Sequence, residues 1–151
     1  MTKLFLLVAL TPLFAADTPG FVVWKSADLK GFEKKLAPKV DEHKAALENL
    51  AKFDKYRTMV VHREGDGEAE LHENDADFIV VESGEATLIV GGTMQNPRNT
   101  NPGEKRGPGI DGGERTKLAA GDLVNIPANI PHQLLVPAGK QFTYFVVKEQ
   151  K

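Results

Sequence analysis

The chain has no cysteine among its 151 residues, so neither disulfide bonds nor thiolate metal ligands are available to it. Any metal ion must therefore be held by nitrogen and oxygen atoms. An excess of charge is also absent, since 19 basic and 21 acidic residues leave a formal charge of −2. Such a balance offers no basic surface to nucleic acid and no polybasic patch to a membrane. We expect small molecules, or a second copy in a homodimer, as partners.

Long apolar runs are scarce, and the most prominent one lies at the start of the chain. Leu4 to Phe14 is almost wholly apolar and is followed by the small residues Ala15 and Ala16. A run of about a dozen residues is too short to cross a bilayer as a helix, which takes roughly 20. The pattern predicts a signal peptide over residues 1–15, a periplasmic or secreted protein and no membrane span. Leu13 stands where a small residue is preferred before the cut, so a retained anchor is the alternative.

A helical N-terminal segment is predicted over residues 21–55. Leu29, Phe32 and Leu36 share one face of a first helix. Apolar residues at near-helical spacing among Lys and Glu predict a second, amphipathic helix from Val40 to Phe53. The first third of the chain is therefore expected to pack as helices on the remainder.

From Tyr56 the periodicity changes to short segments rich in β-branched residues, separated by turns that contain Gly or Pro. About seven or eight such segments over residues 56–149 predict a single all-β barrel or sandwich. Glu82 to Glu85 predicts a hairpin turn, with a glycine that can take positive φ. Residues 91–116 are rich in Gly, Pro and Asn and predict no buried strand. This insertion is expected to be either disordered or a functional lid.

Four side chains on these strands carry potential metal-binding or acid–base chemistry. Side chains alternate along a strand, so Glu70 and His72 are expected on one face. Asp77 and His132 start later strands and converge on the same end if the shared face is the barrel interior. Taken singly, each histidine fits a hydrogen-bonded core residue, and the acidic residues around Asp77 fit a solvated turn. The spacing between them favours the cluster.

That spacing resembles the first of two motifs in the cupin superfamily, whose members are double-stranded β-helix barrels. The family pattern is histidine, any residue, histidine, three or four residues, glutamate, six residues and glycine. Here Glu70, His72, Asp77 and Gly84 occupy those four positions with the spacing intact. Glutamate replaces the first histidine, and aspartate replaces the glutamate. The resemblance covers roughly residues 57–148 and implies a jelly-roll-like barrel.

The second motif of the family is similar to a stretch near the end of the chain. Gly121, Pro127, Asn129 and His132 follow its order and spacing. Asn129 stands where the family usually has glycine, and Val136 stands where it often has asparagine. His132 is therefore the position that corresponds to a metal-binding histidine of the family.

The resemblance implies a divalent metal ion held by His72, Asp77, His132 and Glu70. Two imidazoles with carboxylates and no sulfur suit zinc, iron or manganese. The alternative for Asp77 is to bind a histidine instead of the metal, accepting a hydrogen bond from the far ring nitrogen. Glu70, if it is not a ligand, is the candidate catalytic base. No glycine-rich phosphate loop is found, so no nucleotide cofactor is expected.

Two functions from different classes are compatible with such a site. The first is a metal-dependent enzyme of dioxygenase, isomerase or lyase type that acts on a small oxygenated molecule. The second is a non-enzymatic module that binds a small ligand or a metal. A barrel that has kept the fold and lost the metal is a third hypothesis, since one fold hosts many functions.

Overall fold

The computed structural model describes residues 18–151, and the predicted signal peptide lies outside them. One α-helix, α1, is followed by a short 3₁₀ helix and twelve strands. Their bounds are α1 Ser26–Leu36, the 3₁₀ helix Ala37–Lys39, β1 Ala45–Lys52, β2 Tyr56–Arg63, β3 Ala69–His72, β4 Asp75–Val90, β5 Thr93–Met94, β6 Arg98–Asn101, β7 Glu104–Gly107, β8 Ile110–Asp111, β9 Glu114–Ala119, β10 Leu123–Ile126, β11 His132–Leu135 and β12 Phe142–Gln150. Among these described residues no helix is long and apolar enough to cross a membrane.

Ten of the strands form one curled antiparallel sheet in the order β1-β2-β12-β4-β11-β3-β7-β6, with β9 and β10 also paired to β4. The short strands β5 and β8 pair with each other. The predicted all-β, double-stranded β-helix barrel of the cupin, jelly-roll-like type is confirmed. Its interior is filled by apolar side chains from facing strands, among them Ile79, Leu88, Phe142 and Val146.

The turn predicted at Glu82 to Glu85 is wrong, because the chain continues there as one long strand. The first half of β4 pairs with β12 and β10, and the second half pairs with β9 and β11. Gly84 lies where the strand passes from one set of partners to the other, beside a register shift between Thr143 and Tyr144. It has φ +80°, and an added Cβ would lie 1.9 Å from the backbone oxygen of Gln141. The glycine therefore permits a bend in the strand, with no reversal of the chain.

The helical segment predicted for residues 21–55 is correct only in its first part. α1 buries Phe32 and Leu36 against Ala46 and Val60 on the outer face of the sheet. Val40 to Phe53, predicted as a second helix, instead contains β1, which pairs with β2. Its residues favour a helix locally, but β2 offers a free edge, and pairing there satisfies the backbone while α1 covers Ala46.

Residues 91–116, expected to be a disordered insertion or a lid, contain β5 to β8 and the start of β9. Of these, β7 pairs with β3 along its whole length and so extends the barrel wall. The prediction of no buried strand overlooked β7, which is half-buried with Gly107 fully so, whereas β6 is exposed. Each strand in this segment has at most four residues before β9, which is too short to give a periodic signal in the sequence.

Candidate metal centre

Strand register brings the predicted site residues together at one end of the barrel. Glu70 and His72 lie on β3, and His132 on β11 is directly opposite Glu70. Asp77 enters from the start of β4. His72, Asp77 and His132 are buried, with 3%, 5% and 5% of their surface exposed. The predicted convergence of these four side chains is thus what the fold produces.

The ligand atoms are close enough to share one ion. Glu70, His72 and His132 each offer an atom within 4.8 Å of the other two. Nε2 of His72 lies 3.4 Å from Oε2 of Glu70 and 3.4 Å from Oδ2 of Asp77, and Nε2 of His132 lies 4.0 and 3.7 Å from the same two oxygens. Tetrahedral ligands at about 2.0–2.2 Å from a metal are about 3.3–3.6 Å apart. The His72 distances lie in this range, and the His132 distances of 4.0 and 3.7 Å are slightly longer, so the donor set is of a size that suits a divalent ion with nitrogen and oxygen ligands.

Each imidazole is oriented by a hydrogen bond at Nδ1, the ring nitrogen that faces away from the candidate metal position. Nδ1 of His72 hydrogen-bonds the carboxylate of Glu104 at 2.5 Å. Nδ1 of His132 donates to the backbone oxygen of Ile130 at 3.1 Å. A proton on Nδ1 leaves Nε2 as the nitrogen that can bind an ion, as metal-binding histidines require. The alternative in which Asp77 binds a far ring nitrogen is not what the structure shows, because other groups fill that role.

Each acidic residue of the cluster is opposed by a basic one across a strand pair. Lys148 on β12 is directly opposite Asp77, and its Nζ lies 2.6 and 2.8 Å from the two carboxylate oxygens. The same Nζ lies 2.7 Å from Nε2 of His72. Arg106 on β7 is opposite Glu70 and forms an ion pair with its Oε1. Directly opposed strand residues interact in this way when their charges differ.

The carboxylates and cations of the cluster shift one another's proton affinities. Burial alone would raise the pKa of Glu70, but His72, Arg106 and His132 outweigh it and lower that pKa. Burial would likewise raise the pKa of Asp77, and His72 and Lys148 lower it. Burial opposes a charge on His72, but hydrogen bonds with Asp77 and Glu70 raise its pKa to about 9. Burial lowers the pKa of His132. Without a metal, the cluster thus holds two ionised carboxylates and one charged imidazole at neutral pH.

Thermal stability of the metal-free protein is expected to fall as the pH rises from 6.5 to 9. The raised pKa of His72 contributes stability that is complete below its ordinary value of 6.5 and is lost as the pH passes about 9. Unfolding followed in a chelator should show Tm decreasing by about 5 °C or more over this interval. His72→Gln is the control, because it lacks the titrating group. Identical pH profiles for the two proteins would contradict the assignment.

Two adjoining cavities open onto the cluster. One of about 360 Å³ is lined by Glu70, Asp77, Lys148 and Tyr144, among others. The other, of about 490 Å³, reaches His72, and Lys148 borders both. Together these two cavities reach Glu70, Asp77 and His72 and have room for a small molecule, whereas His132 lines neither of them.

The second sequence motif has a conformational role as well as a chemical one. Asn129 has φ +65°, a left-handed conformation in which Gly is unstrained and Asn is the next best tolerated residue. Its backbone N–H donates to the backbone oxygen of His72 at 2.7 Å. Asn129 therefore links the turn before β11 to β3, which fixes His132 relative to His72.

Sequence reasoning missed Glu104, Arg106 and Lys148, which are integral to the cluster. Glu104 and Arg106 lie in the segment predicted to lack buried strands, and Lys148 belongs to neither motif. Only strand register places them, since their side-chain partners in the cluster lie 32 to 76 positions away along the chain. Alternation along β7 could have linked Glu104 with Arg106, had that strand been recognised.

No protein-family model matches this chain, and no curated protein sequence is similar to it. Similar folds occur among solved structures. A crystal structure of TT1209 from Thermus thermophilus has a TM-score of 0.56 and 18% identity, and covers 78% of this chain and 92% of its own. The polyketide cyclase RemF from Streptomyces resistomycificus has a TM-score of 0.51 and 15% identity, and the match covers 72% of this chain and 66% of that one. The DMSP lyase DddQ from Ruegeria pomeroyi DSS-3 has a TM-score of 0.52 and 16% identity, and the match covers 72% of this chain and 48% of that one. These structures are cupin-type barrels, and the likeness shows the fold.

Proposed function

We propose that this protein binds a divalent metal ion through Glu70, His72 and His132 and acts on a small oxygenated molecule in the adjoining cavity. The observation that carries the proposal is the approach of three ligand atoms to within 4.8 Å of one another at a buried site. Zinc, iron and manganese all suit this donor set. We include membership of the cupin superfamily in the proposal, on the fold and the two motifs together.

When bound, the ion supplies a Lewis acid that polarises an oxygen of the ligand or of water. The chain's own side chains orient the ligands and accept the proton. His72 and His132 are held in place from behind by Glu104 and Ile130. Asp77, which faces both histidines, can accept a proton from the bound molecule once it is freed from Lys148. Glu70 takes that role if it does not bind the ion.

The surroundings favour a ligand that carries negative charge. Arg63 and Arg106 line the same cavity as Glu70 and share its Oε1, with Arg63 at 3.4 Å. Within residues 18–151, no group accepts a hydrogen bond from the buried Nε of Arg63. A carboxylate on the ligand would compete with Glu70 for these guanidinium groups, which match its geometry. Met59, Val61 and Val146 provide an apolar wall beside them.

Solved structures with this fold are described as a DMSP lyase, a polyketide cyclase and a nucleoside dehydratase. We propose a lyase or isomerase type of reaction for this chain as well. If the bound ion is iron, we propose a dioxygenase reaction instead. Paired carboxylates and imidazoles beside a Lewis acid suit proton transfer, which lyases and isomerases require.

Metal content tests the proposal directly. The chain from Ala16 onward should be purified without chelators and without a metal-binding tag, and analysed by mass spectrometry of the elements. Near-stoichiometric zinc, iron or manganese is expected, and that ion then selects the substrates to screen. A folded protein that contains no metal and binds none on titration would contradict the proposal.

The Glu104→Gln variant is expected to bind metal about 10–100-fold more weakly than the wild type, because Glu104 orients His72 and strengthens it as a ligand. Isothermal titration with zinc measures the difference. Glu73→Gln is the matched control, since Glu73 pairs with Lys105 at the surface, with 42% of its side chain exposed. Equal affinities for the two variants would show that Glu104 does not act through His72.

A non-enzymatic binding module is the second candidate, favoured by one observation. Both carboxylates of the cluster are already paired with a cation, Glu70 with Arg106 and Asp77 with Lys148. A carboxylate held in this way is a poor base until its partner moves. A thermal-shift screen that finds a stabilising ligand which is never converted would favour the module over the enzyme.

Export and self-association complete the proposal. We propose that residues 1–15 direct the chain to the periplasm or outside the cell, which fractionation with an antibody against the barrel would test. We also propose a homodimer, because Tyr56, Phe78 and Leu123 expose apolar surface on the described part of the sheet. A monomeric mass by light scattering at micromolar concentration would contradict it.

A further inference from the structure

Lys148 places its ammonium group against the proposed ligand His72 and against the buried Asp77. Its side chain is 11% exposed, and its Nζ contacts Oδ1 and Oδ2 of Asp77 and Nε2 of His72 at 2.6 to 2.8 Å. The ammonium group donates to both oxygens of Asp77, and to Nε2 of His72 when that nitrogen carries no proton. The lysine thus closes the gap between Asp77 and the inward nitrogen of His72.

The lysine and a metal ion compete for the same place. Nδ1 of His72 is committed to Glu104, so Nε2 is the nitrogen left to bind an ion. Its lone pair is used either by a hydrogen bond from Lys148 or by a proton of its own, and a positive charge at this distance would repel a divalent ion. Lys148 in its observed position and a metal ion on His72 are therefore mutually exclusive.

Space is available for the lysine to leave. Lys148 borders both cavities at the cluster, whereas His72 and His132 are fixed by hydrogen bonds from behind. An ammonium on a flexible four-carbon stem can swing into either cavity without a change of the backbone. Its place on β12, directly opposite Asp77, keeps it within reach for return.

We propose that Lys148 is a tethered cation that closes the site when no metal is present and must be displaced for a metal ion to bind. This inference rests on the proposed metal site. The displaced ammonium enters the cavity shared with Arg63 and Arg106, where it adds a third positive charge for an anionic ligand. Lys148 thereby determines how tightly the site holds metal.

The test compares zinc affinity among variants by isothermal titration. Lys148→Leu removes the ammonium and adds no ligand atom, so its zinc affinity should rise by about tenfold to a hundredfold over wild type, matching the loss of a charged hydrogen-bonding competitor. Lys148→Arg keeps a cation and should bind zinc more weakly than Lys148→Leu does. Lys140→Leu, at an exposed lysine paired with Glu85 at 3.5 Å, should match wild type.

Thermal stability tests the role of Lys148 independently of zinc affinity. Without metal, Lys148→Leu leaves Asp77 buried without its lysine, so its Tm in a chelator should fall below wild type, and saturating zinc should restore more stability to it than to wild type. Equal zinc affinities for wild type and Lys148→Leu would overturn the role of Lys148 and leave the metal site standing. No zinc binding by either protein would overturn the metal site, and this inference with it.

Discussion

Replacing His132 with alanine is expected to remove bound metal and any metal-dependent activity together. His132 is the proposed ligand on β11, and its Nε2 faces both candidate carboxylates. Its loss leaves Glu70 and His72 as the remaining pair of the three-residue cluster. Since loss of a supporting partner alone costs about 10–100-fold in metal affinity, loss of a ligand should cost more than about 100-fold.

Metal content by elemental mass spectrometry and zinc titration measure the effect. His43→Ala is the matched control, because His43 is exposed, with 72% of its side chain accessible, and lies far along the chain from the cluster. His132 is buried, so alanine also leaves a void beside His72. His132→Gln preserves more of the volume and should show the same loss of metal. Full metal occupancy in either folded variant would contradict the assignment of His132 as a ligand.

Gly84→Ala is expected to destabilise the fold more than any other glycine-to-alanine change outside the site. The new Cβ would lie 1.9 Å from the backbone oxygen and 2.8 Å from the backbone carbon of Gln141, and neither atom belongs to a flexible side chain. Gly84 also has φ +80°. Relief requires β4 and β12 to separate at the bend. We expect a loss of about 3–5 kcal/mol in the free energy of unfolding.

Gly139→Ala separates the two causes of that loss. Gly139 has φ +72° and no atom within 4 Å of an added Cβ, so its alanine variant experiences the backbone strain without the clash. It should lose only about 1–2 kcal/mol. Urea unfolding of the three proteins measures the difference. Equal losses for the two variants would show that β12 does not constrain Gly84.

The same bend explains the position of the site. Asp77 lies in the half of β4 that pairs with β12, where Lys148 opposes it. The other half of β4 pairs with β11, which carries His132. One strand thus pairs with both walls of the barrel, and the glycine that permits its bend keeps the candidate acidic and imidazole ligands at the same end. A change at Gly84 is therefore expected to affect metal binding as well as stability.

Local pattern in the sequence determined the strands of the barrel and its candidate metal-binding side chains. Alternation and turn residues predicted the change to short strands from Tyr56 onward, because a half-buried strand leaves a period of two in the sequence. Motif spacing identified Glu70, His72, Asp77 and His132, because the spacing of residues within each motif can be read from a short stretch of sequence. The absence of cysteine restricted their partners to metals that accept nitrogen and oxygen.

Only the tertiary structure decided which residues oppose those side chains. β1 favours a helix by composition and becomes a strand because an edge of β2 is free. β7 is too short for a periodic signal, yet it brings Glu104 and Arg106 to the cluster, and β12 brings Lys148. Pairing between distant strands depends on register across the whole sheet, which short-range periodicity does not encode. The sequence therefore specified the candidate ligands, and the fold supplied the charges that orient them and compete with the metal.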